Sequence, residues 1–381
     1  MAYFDNAATT FPKPECVYKY MDQFYRASGG SVGRGNYGLA LSAKKLLNDT
    51  RNKITDILCC PAKQVIFEPS ATIALNIVLQ GLVYSGTKTF YISPFEHNAV
   101  TRTLHNFEVQ GKIIVRQLSV SKSLEYDLER IRYQFDKEKP DVVVVSHASN
   151  VIGLVAPVEK IFQLAKRYNS LTVLDMSQTA GLIECDVGQE SFDFAVFAGH
   201  KTLLGPTGIS GFVMNPQIDL PVVLFGGTGF ESAIQDMPIS IPERFEIGTM
   251  NISGIAGLNA ALSWIKEKGI STLYSEEQQK RKQLLELLNK YDFINVIGNE
   301  PTRKYVGIVS CTIDGISSDT SGQLFSERNI AVRTGLHCAP LAHRFLGTFP
   351  SGTIRFSVNH STNANDFAAL EAALDDIDDN L

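Results

Sequence analysis

Helical and strand-like patterns of apolar residues alternate along most of the chain. The run DVVVVS at Asp141–Ser146 is nearly all β-branched and apolar, which is typical of a strand buried on both faces of a parallel sheet. Leu171–Leu174 and Phe192–Phe197 have the same character, whereas Leu41–Leu58 has the apolar period of an amphipathic helix. This alternation predicts an α/β fold with a mainly parallel sheet in a large domain.

The same patterns predict the other elements of the first half of the chain. We expect further strands and helices in this part at Gln64–Phe67, Thr87–Ile92, Ile209–Met214, Glu15–Arg26 and Ile73–Leu82. A glycine-rich loop, Ser28–Gly38, separates the first two helices. Its glycines allow the backbone to approach a ligand closely, although a flexible linker would have the same composition.

After about Thr249 the pattern changes to that of a smaller α+β unit. A helix is predicted over Ile252–Lys268, and a second over Ser275–Tyr291 with Ser275 and Gln278 as a capping box. Further strands and helices are predicted at Ile294–Ile297, Val306–Ile313, Ile330–Arg333, Thr353–Val358, Ser318–Arg328 and Ala364–Ile377, with a loop over Thr334–Ser351. We therefore expect a large domain over residues 15–250 and a small domain made of residues 1–14 and 251–381.

Composition and charge exclude several classes of function. The chain is 44% hydrophobic and 20% charged, with a net charge of −5 and both signs dispersed, so we expect no nucleic-acid partner. No apolar run approaches the roughly 18 residues of a membrane span, and the N-terminus lacks the pattern of a secretory signal. The six cysteines are scattered without C-x-x-C spacing, which argues against a zinc site and favours a cytoplasmic protein.

Polar side chains follow the predicted strands at the point where each strand ends. His97, Asn150, Asp175 and Lys201 occupy such positions after four different strands. Because ligands bind at the carboxyl ends of strands in open parallel sheets, these residues predict one composite site. Each of them alone has an ordinary structural explanation, and a lone histidine such as His97 is usually structural.

Lys201 stands out within the stretch FAGHKTLLGPTG, which runs over Phe197–Gly208. A lysine held among small residues at a strand end can be partly desolvated, which lowers the pKa of its amine and makes it a nucleophile toward carbonyls. Such an amine suits a covalent link to pyridoxal phosphate (PLP). A solvated loop lysine is the alternative. A P-loop is disfavoured, because His200 stands where that pattern requires glycine.

PLP makes further demands that other residues could meet. A buried carboxylate such as Asp175 would keep the ring nitrogen protonated, although an N-cap or turn residue is the alternative. Ser70 and Thr72 lie at a strand–helix junction, where they could hold a phosphate or serve as plain N-caps. Gln178 could donate to the ring oxygen. Arg355 is a candidate for the substrate carboxylate, with a surface salt bridge as its alternative.

Nine short motifs together resemble one enzyme group over essentially the full length. They are Phe4-Asp5-Asn6-Ala7-Ala8, Ser70-Ala71-Thr72, Glu96-His97-Asn98, Ser149-Asn150-Val151-Ile152-Gly153, Asp175-Met176-Ser177-Gln178, Gly199-His200-Lys201, Arg244–Thr249, Arg333–Cys338 and Thr353-Ile354-Arg355. In this order they are similar to fold-type I PLP enzymes of the class V aminotransferase group. Within that group the chain resembles cysteine desulfurases of the Suf type (type II).

The resemblance implies roles for particular residues. Lys201 would carry PLP, Asp175 would pair with the ring nitrogen, Gln178 would face the ring oxygen, and His97 would stack on the ring. The residues implied for the phosphate are Ala71, Thr72, His200 and, from the neighbouring subunit of a homodimer, Thr249. Those implied for the substrate carboxylate are Asn150 and Arg355.

The resemblance also implies a reaction in which Cys338 takes sulfur from L-cysteine as a persulfide and leaves L-alanine. The resemblance further implies a sulfur-acceptor protein that receives this sulfur, and a role in iron–sulfur cluster assembly. Nearby cations, either His337 or Arg333, could raise the thiolate fraction of Cys338, whereas a buried inert cysteine is the alternative. Ala198 and Leu336 depart from the group's usual serine and histidine.

Other functions remain open at this point. A selenocysteine lyase acting on L-selenocysteine, or another class V aminotransferase or epimerase, would use the same cofactor. A non-enzymatic partner or scaffold protein is the third alternative, and the intact set of Lys201, Asp175 and Arg355 argues against it.

Overall fold

A computed structural model of the chain describes residues 1–30, 35, 37–231 and 233–380. Of the glycine-rich loop predicted over Ser28–Gly38, residues 31–34 and 36 therefore lie outside the described residues. The described strands are β1 (Ala2–Tyr3), β2 (Gln64–Glu68), β3 (Thr89–Ile92), β4 (Ile114–Gln117), β5 (Val142–Ser146), β6 (Leu171–Asp175), β7 (Phe194–Ala198), β8 (Ser210–Met214), β9 (Ile294–Ile297), β10 (Ile308–Ile313), β11 (Ile330–Ala331), β12 (Arg333–Gly335) and β13 (Thr353–Ser357).

The described helices alternate with the strands from β2 to β6, and in the second half α8, α9 and α11 contact the smaller sheets. They are α1 (Glu15–Ser28), α2 (Gly38–Ile57), α3 (Ala71–Tyr84), α4 (Asn98–Glu108), α5 (Leu128–Lys137), α6 (Val158–Lys166), α7 (Ile252–Lys268), α8 (Ile270–Leu288), α9 (Ser318–Glu327), α10 (Pro340–Leu346) and α11 (Ala364–Asp378). None of these helices has both the length and the apolar character needed to cross a bilayer.

The largest sheet has the strand order β2-β8-β7-β6-β5-β3-β4. The strands from β7 to β4 run parallel, while β8 is antiparallel to both of its neighbours. Along β5, Val142 and Val144 point into one apolar core and Val143 and Val145 into another, which explains the continuous apolar run. The predicted α/β fold with a mainly parallel sheet is confirmed.

The C-terminal part forms two smaller sheets around a third core. Strands β12-β13-β10-β9 make an antiparallel sheet, and β1 pairs with β11 in parallel, so the N-terminus joins this part. Phe4, Phe325 and Phe356 lie fully buried in its core together with residues of α8 and α11. Helix α7 instead packs against α1 and α2. The division into residues 15–250 and the remainder stays a prediction.

Several expectations about the second half were wrong. Helix α8 begins at Ile270, directly after Gly269 with φ of 84°, so Ser275 lies inside the helix and forms no capping box. Gln278 instead donates from Nε2 to Tyr305 O at 2.8 Å. The strand predicted over residues 330–333 is two strands in different sheets, and the loop predicted over residues 334–351 contains α10.

Candidate active site

A cavity of about 170 Å³ lies where β5, β6 and β7 end and α3 begins. It brings together most of the residues that the sequence predicts for the cofactor and the substrate: Ala71, Thr72, His97, Asn150, Asp175, Gln178, His200 and Lys201. Ala198, one of the two departures from the usual motif, also lines it. Arg355, Cys338 and Thr249 are not part of its wall.

Lys201 occupies the turn that follows β7 and is partly buried. Burial lowers the pKa of its amine to about 8, since desolvation outweighs the opposing effect of Asp175, and the positive charges of Arg355 and Arg333 act in the same direction as burial. No described residue accepts a hydrogen bond from Lys201 Nζ. The amine is thus free and, near neutral pH, unprotonated in an appreciable fraction of molecules.

Asp175 ends β6 as a buried carboxylate. Its Oδ1 accepts hydrogen bonds from Ser177 N at 2.9 Å and Ser177 Oγ at 2.5 Å, while its Oδ2 has no donor among the described residues. Its neighbour Gln178 donates from Nε2 to Ala7 O at 2.9 Å, which ties the N-terminal segment to the cavity. One oxygen of Asp175 therefore remains available to a bound group.

His97 serves both as the N-cap of α4 and as a wall of the cavity. Its Nδ1 accepts a hydrogen bond from Ala99 N at 3.0 Å, so the neutral ring carries its proton on Nε2. Burial, reinforced by the charge of Lys201, lowers the pKa of His97 to about 4. The ring is therefore neutral near pH 7, and its structural explanation as a cap holds together with its place at the site.

The sequence did not assign a role to Glu96, which lies next to His97. Its fully buried carboxylate accepts hydrogen bonds from Ser93 Oγ at 2.5 Å, Ser146 N at 2.7 Å and Ser146 Oγ at 2.8 Å. These bonds join the ends of β3 and β5. The motif Glu96-His97-Asn98 could have pointed to this residue. Its hydrogen-bond partners could be identified only from the structure.

The first turn of α3 closes the cavity with free backbone donors. Ser70 caps the helix, because its hydroxyl oxygen accepts a hydrogen bond from Ile73 N at 3.3 Å. The interpretation of Ser70 as an N-cap is therefore correct. The N–H groups of Ala71 and Thr72 have no partner among the described residues, as is usual for a first helical turn. His200 Nδ1 is likewise buried without a partner. This end of the cavity suits an anion.

Cys338 lines a second cavity that adjoins the first and shares Thr72 and His97 with it. Arg333 Nη2 lies 3.5 Å from Cys338 Sγ. His337 is not the neighbouring cation, because burial lowers its pKa to about 2 and leaves it neutral. The backbone is left-handed at both His337 and Cys338, with φ of 48° and 57°. Cys338 is only partly buried, so the inert-core alternative fails.

Arg355 and Asn150 connect the cavity wall to the turn that contains His337 and Cys338, here called the cysteine loop. Arg355 is 1% exposed, donates from Nη1 to Asn150 O at 2.9 Å and pairs through Nη2 with Asp5 Oδ1 at 2.8 Å. The alternative interpretation, that Arg355 forms a salt bridge on the surface, is therefore wrong. Asn150 donates from Nδ2 to His337 O at 2.7 Å. Thr249 is exposed, and its contact with a neighbouring subunit stays a prediction.

Comparisons with known proteins agree with this geometry. The aminotransferase class-V family matches residues 2–370. A probable cysteine desulfurase from Methanothermobacter thermautotrophicus is 30% identical, over 98% of this chain and 94% of its own length. One from Pyrococcus abyssi is 29% identical, over 93% of this chain and 88% of its own. The apo structure of cysteine desulfurase from Thermococcus onnurineus NA1 covers all of this chain and 95% of its own, with a TM-score of 0.88 and 26% identity.

Proposed function

This chain belongs to the aminotransferase class-V family, and we propose that it is a cysteine desulfurase, an enzyme that converts L-cysteine to L-alanine and leaves the sulfur on Cys338 as a persulfide. The observation that carries the proposal is the pair of adjoining cavities. Lys201 and Asp175 line one, Cys338 lines the other, and Thr72 and His97 belong to both. A substrate held at Lys201 thus lies next to the cavity that contains the Cys338 thiol, whose charge acts on the Lys201 amine.

Members of this family use PLP, and the residues of the first cavity fit that cofactor. The free N–H groups at the start of α3 would hold the phosphate, the open oxygen of Asp175 would face the ring nitrogen, and the Lys201 amine would carry the aldehyde carbon. When bound, PLP supplies an electron sink for bond breaking at the substrate. The remaining chemistry belongs to side chains of this chain.

Lys201 is suited to move a proton at the substrate Cα, because a pKa of about 8 allows the amine to act as a general base near neutral pH. The donors proposed for the substrate carboxylate are Asn150, which lines the first cavity, and Arg355, whose buried Nε has no partner among the described residues. Cys338 Sγ forms the new sulfur–sulfur bond as the substrate carbon–sulfur bond breaks. The electron pair of that bond stays with the carbon, which becomes the methyl group of alanine after protonation. Arg333 places a positive charge beside the sulfur throughout.

We further propose the finer features that the resemblance implies. A homodimer is supported by exposed apolar side chains on the segment before Thr249, at Leu224, Phe225, Phe230, Ile234 and Ile239. A sulfur-acceptor protein, with a role in iron–sulfur cluster assembly, would take the persulfide sulfur. A cytoplasmic location is supported by six cysteines that are all free. No observation favours L-selenocysteine over L-cysteine.

The test is the fate of sulfur on single cysteines. The PLP-loaded enzyme is mixed with L-cysteine, alanine is quantified, and each cysteine is examined by mass spectrometry for one added sulfur. Cys338→Ser is expected to abolish the added sulfur and nearly all alanine formation, whereas Cys16→Ser, at an exposed cysteine on α1, should change neither. Undiminished alanine formation in Cys338→Ser would remove the proposed role of this thiol.

A further inference from the structure

A short N-terminal segment donates several hydrogen bonds to the turn that carries Lys201. The carbonyl oxygen of His200 accepts from Thr10 N at 3.1 Å, from Thr9 Oγ1 at 3.2 Å and from Lys13 Nζ at 2.6 Å. Thr10 Oγ1 also donates to Lys201 O at 2.8 Å. Since the His200 carbonyl belongs to the peptide that leads into Lys201, these bonds fix the orientation of that peptide.

Lys13 is the charged donor in this group, and its surroundings need an explanation. Its side chain is partly buried, and burial alone lowers the pKa of the amine to about 7. Within the described part of the chain, no carboxylate forms an ion pair with it, and its ammonium donates only to His200 O. Burial of an amine without a counter-ion costs stability, whether the group stays charged or loses its proton. Such a placement suggests a function at the turn rather than a role in the core.

We propose that Lys13 is a positioning residue for Lys201. Its terminal nitrogen donates to the His200 carbonyl in either protonation state and thereby sets the direction in which the Lys201 amine enters the cavity. Its charge also helps to keep the His200 ring neutral, after the larger effects of burial and of Lys201, which lower the pKa of His200 to about 4. The proposal depends on the proposed function only in that Lys201 carries PLP.

The test measures PLP binding to the apoprotein without any cysteine substrate. Lys13→Met is expected to weaken PLP affinity by about tenfold or more, the range for loss of a hydrogen bond from a charged donor. Lys13→Arg should restore most of it, because a guanidinium can donate to the same carbonyl. The rate of Lys201 acylation in the apoprotein, followed by mass spectrometry, should change in Lys13→Met and recover in Lys13→Arg.

Lys63 offers a matched control. It too is partly buried, its pKa is lowered by burial, and its Nζ donates to the backbone carbonyls of Val187 and Phe192. Those carbonyls lie before β7, at the end of the strand opposite to Lys201. Lys63→Met should therefore lower thermal stability while PLP affinity stays within twofold of the wild type.

Two results would overturn the positioning role: wild-type PLP affinity in Lys13→Met, or an equal loss in Lys63→Met. If Lys13→Met does not fold, Lys13→Gln and Lys13→Arg carry the test, with the neutral amide expected to bind PLP more weakly than the guanidinium. Equal affinities for these two variants would also contradict the proposal. Because no L-cysteine is present, a failure of the desulfurase assignment would leave these measurements unaffected.

Discussion

The ion pair between Asp5 and Arg355 predicts a large loss of stability for Asp5→Ala. The side chain of Arg355 is 1% exposed and that of Asp5 is 23% exposed, with 2.8 Å between Nη2 and Oδ1. Asp5 is the carboxylate that opposes the effect of burial on the pKa of Arg355, whereas Arg333 adds to that effect. Removal of Asp5 would leave a buried guanidinium without a counter-ion.

The magnitude follows from the burial of the two partners. Breaking a fully buried pair costs about 3–5 kcal/mol, and because water reaches Asp5 in part we expect about 2–3 kcal/mol. Urea unfolding at pH 7 measures this loss directly. The control is Asp22→Ala, which breaks a pair with Arg26 whose side chains are 61% and 78% exposed, and should cost less than about 0.5 kcal/mol.

L-alanine, which carries the carboxylate of the product, offers a second readout on the PLP-loaded protein. If Arg355 binds that carboxylate, saturating L-alanine should recover part of the stability that Asp5→Ala loses. An Asp5→Ala loss no larger than that of Asp22→Ala would refute the reasoning, because it would mean that the charge of Arg355 is compensated elsewhere.

Three further outcomes are expected. In the apoprotein, acylation of Lys201 should reach half its maximal rate near pH 8 rather than near pH 10.5. Mass spectrometry of the labelled peptide over a pH series measures this rate, and a midpoint near pH 10.5, as for an ordinary lysine, would contradict the prediction. Asn150→Ala removes the 2.7 Å bond to the cysteine loop and should slow persulfide formation on Cys338 about tenfold in single-turnover assays, so an unchanged rate contradicts it. Burial raises the pKa of Glu277 to about 8. The carboxyl of Glu277 therefore keeps its proton in the folded protein but loses it above about pH 4.5 in the unfolded chain. The free energy of unfolding of the wild type should thus fall relative to that of Glu277→Gln by up to about 1.4 kcal/mol per pH unit between pH 5 and pH 8. An equal difference between the two proteins at pH 5 and at pH 8 would contradict this.

The buried strands of the large sheet could be predicted closely from the sequence. The runs predicted at Asp141–Ser146 and Leu171–Leu174 differ from β5 and β6 by one residue each, because strands covered on both faces are apolar throughout. Helix α7 has the predicted bounds, since Asn251 caps its first turn and Gly269 with positive φ ends it. Local chemistry was sufficient in these places.

Elements without a strong apolar signal were missed. Strand β4 lies at the sheet edge with mostly exposed side chains, so it lacks the apolar run of its neighbours. Helix α5 fully buries only Ile131 and Phe135, and most of its other residues are polar. The start of α8 was misplaced because a single glycine, Gly269, is enough to separate two helices that follow each other directly.

The candidate site was partly predictable for a topological reason. Parallel strands end at one edge, so polar residues at several strand ends had to meet there. The partners that orient them were not predictable, because no local period relates Lys13 to His200 or Asp5 to Arg355. The latter two lie 350 positions apart in sequence.

The contacts of the N-terminal segment also have a consequence for synthesis. During synthesis Thr10 is made long before its partner Lys201, and Asp5 long before its partner Arg355. At the 5–20 residues per second of translation, the second delay is on the order of tens of seconds. Until residue 355 has been synthesised, Asp5 remains a solvated aspartate without its partner, so chaperones that bind early segments have a long interval in which to act.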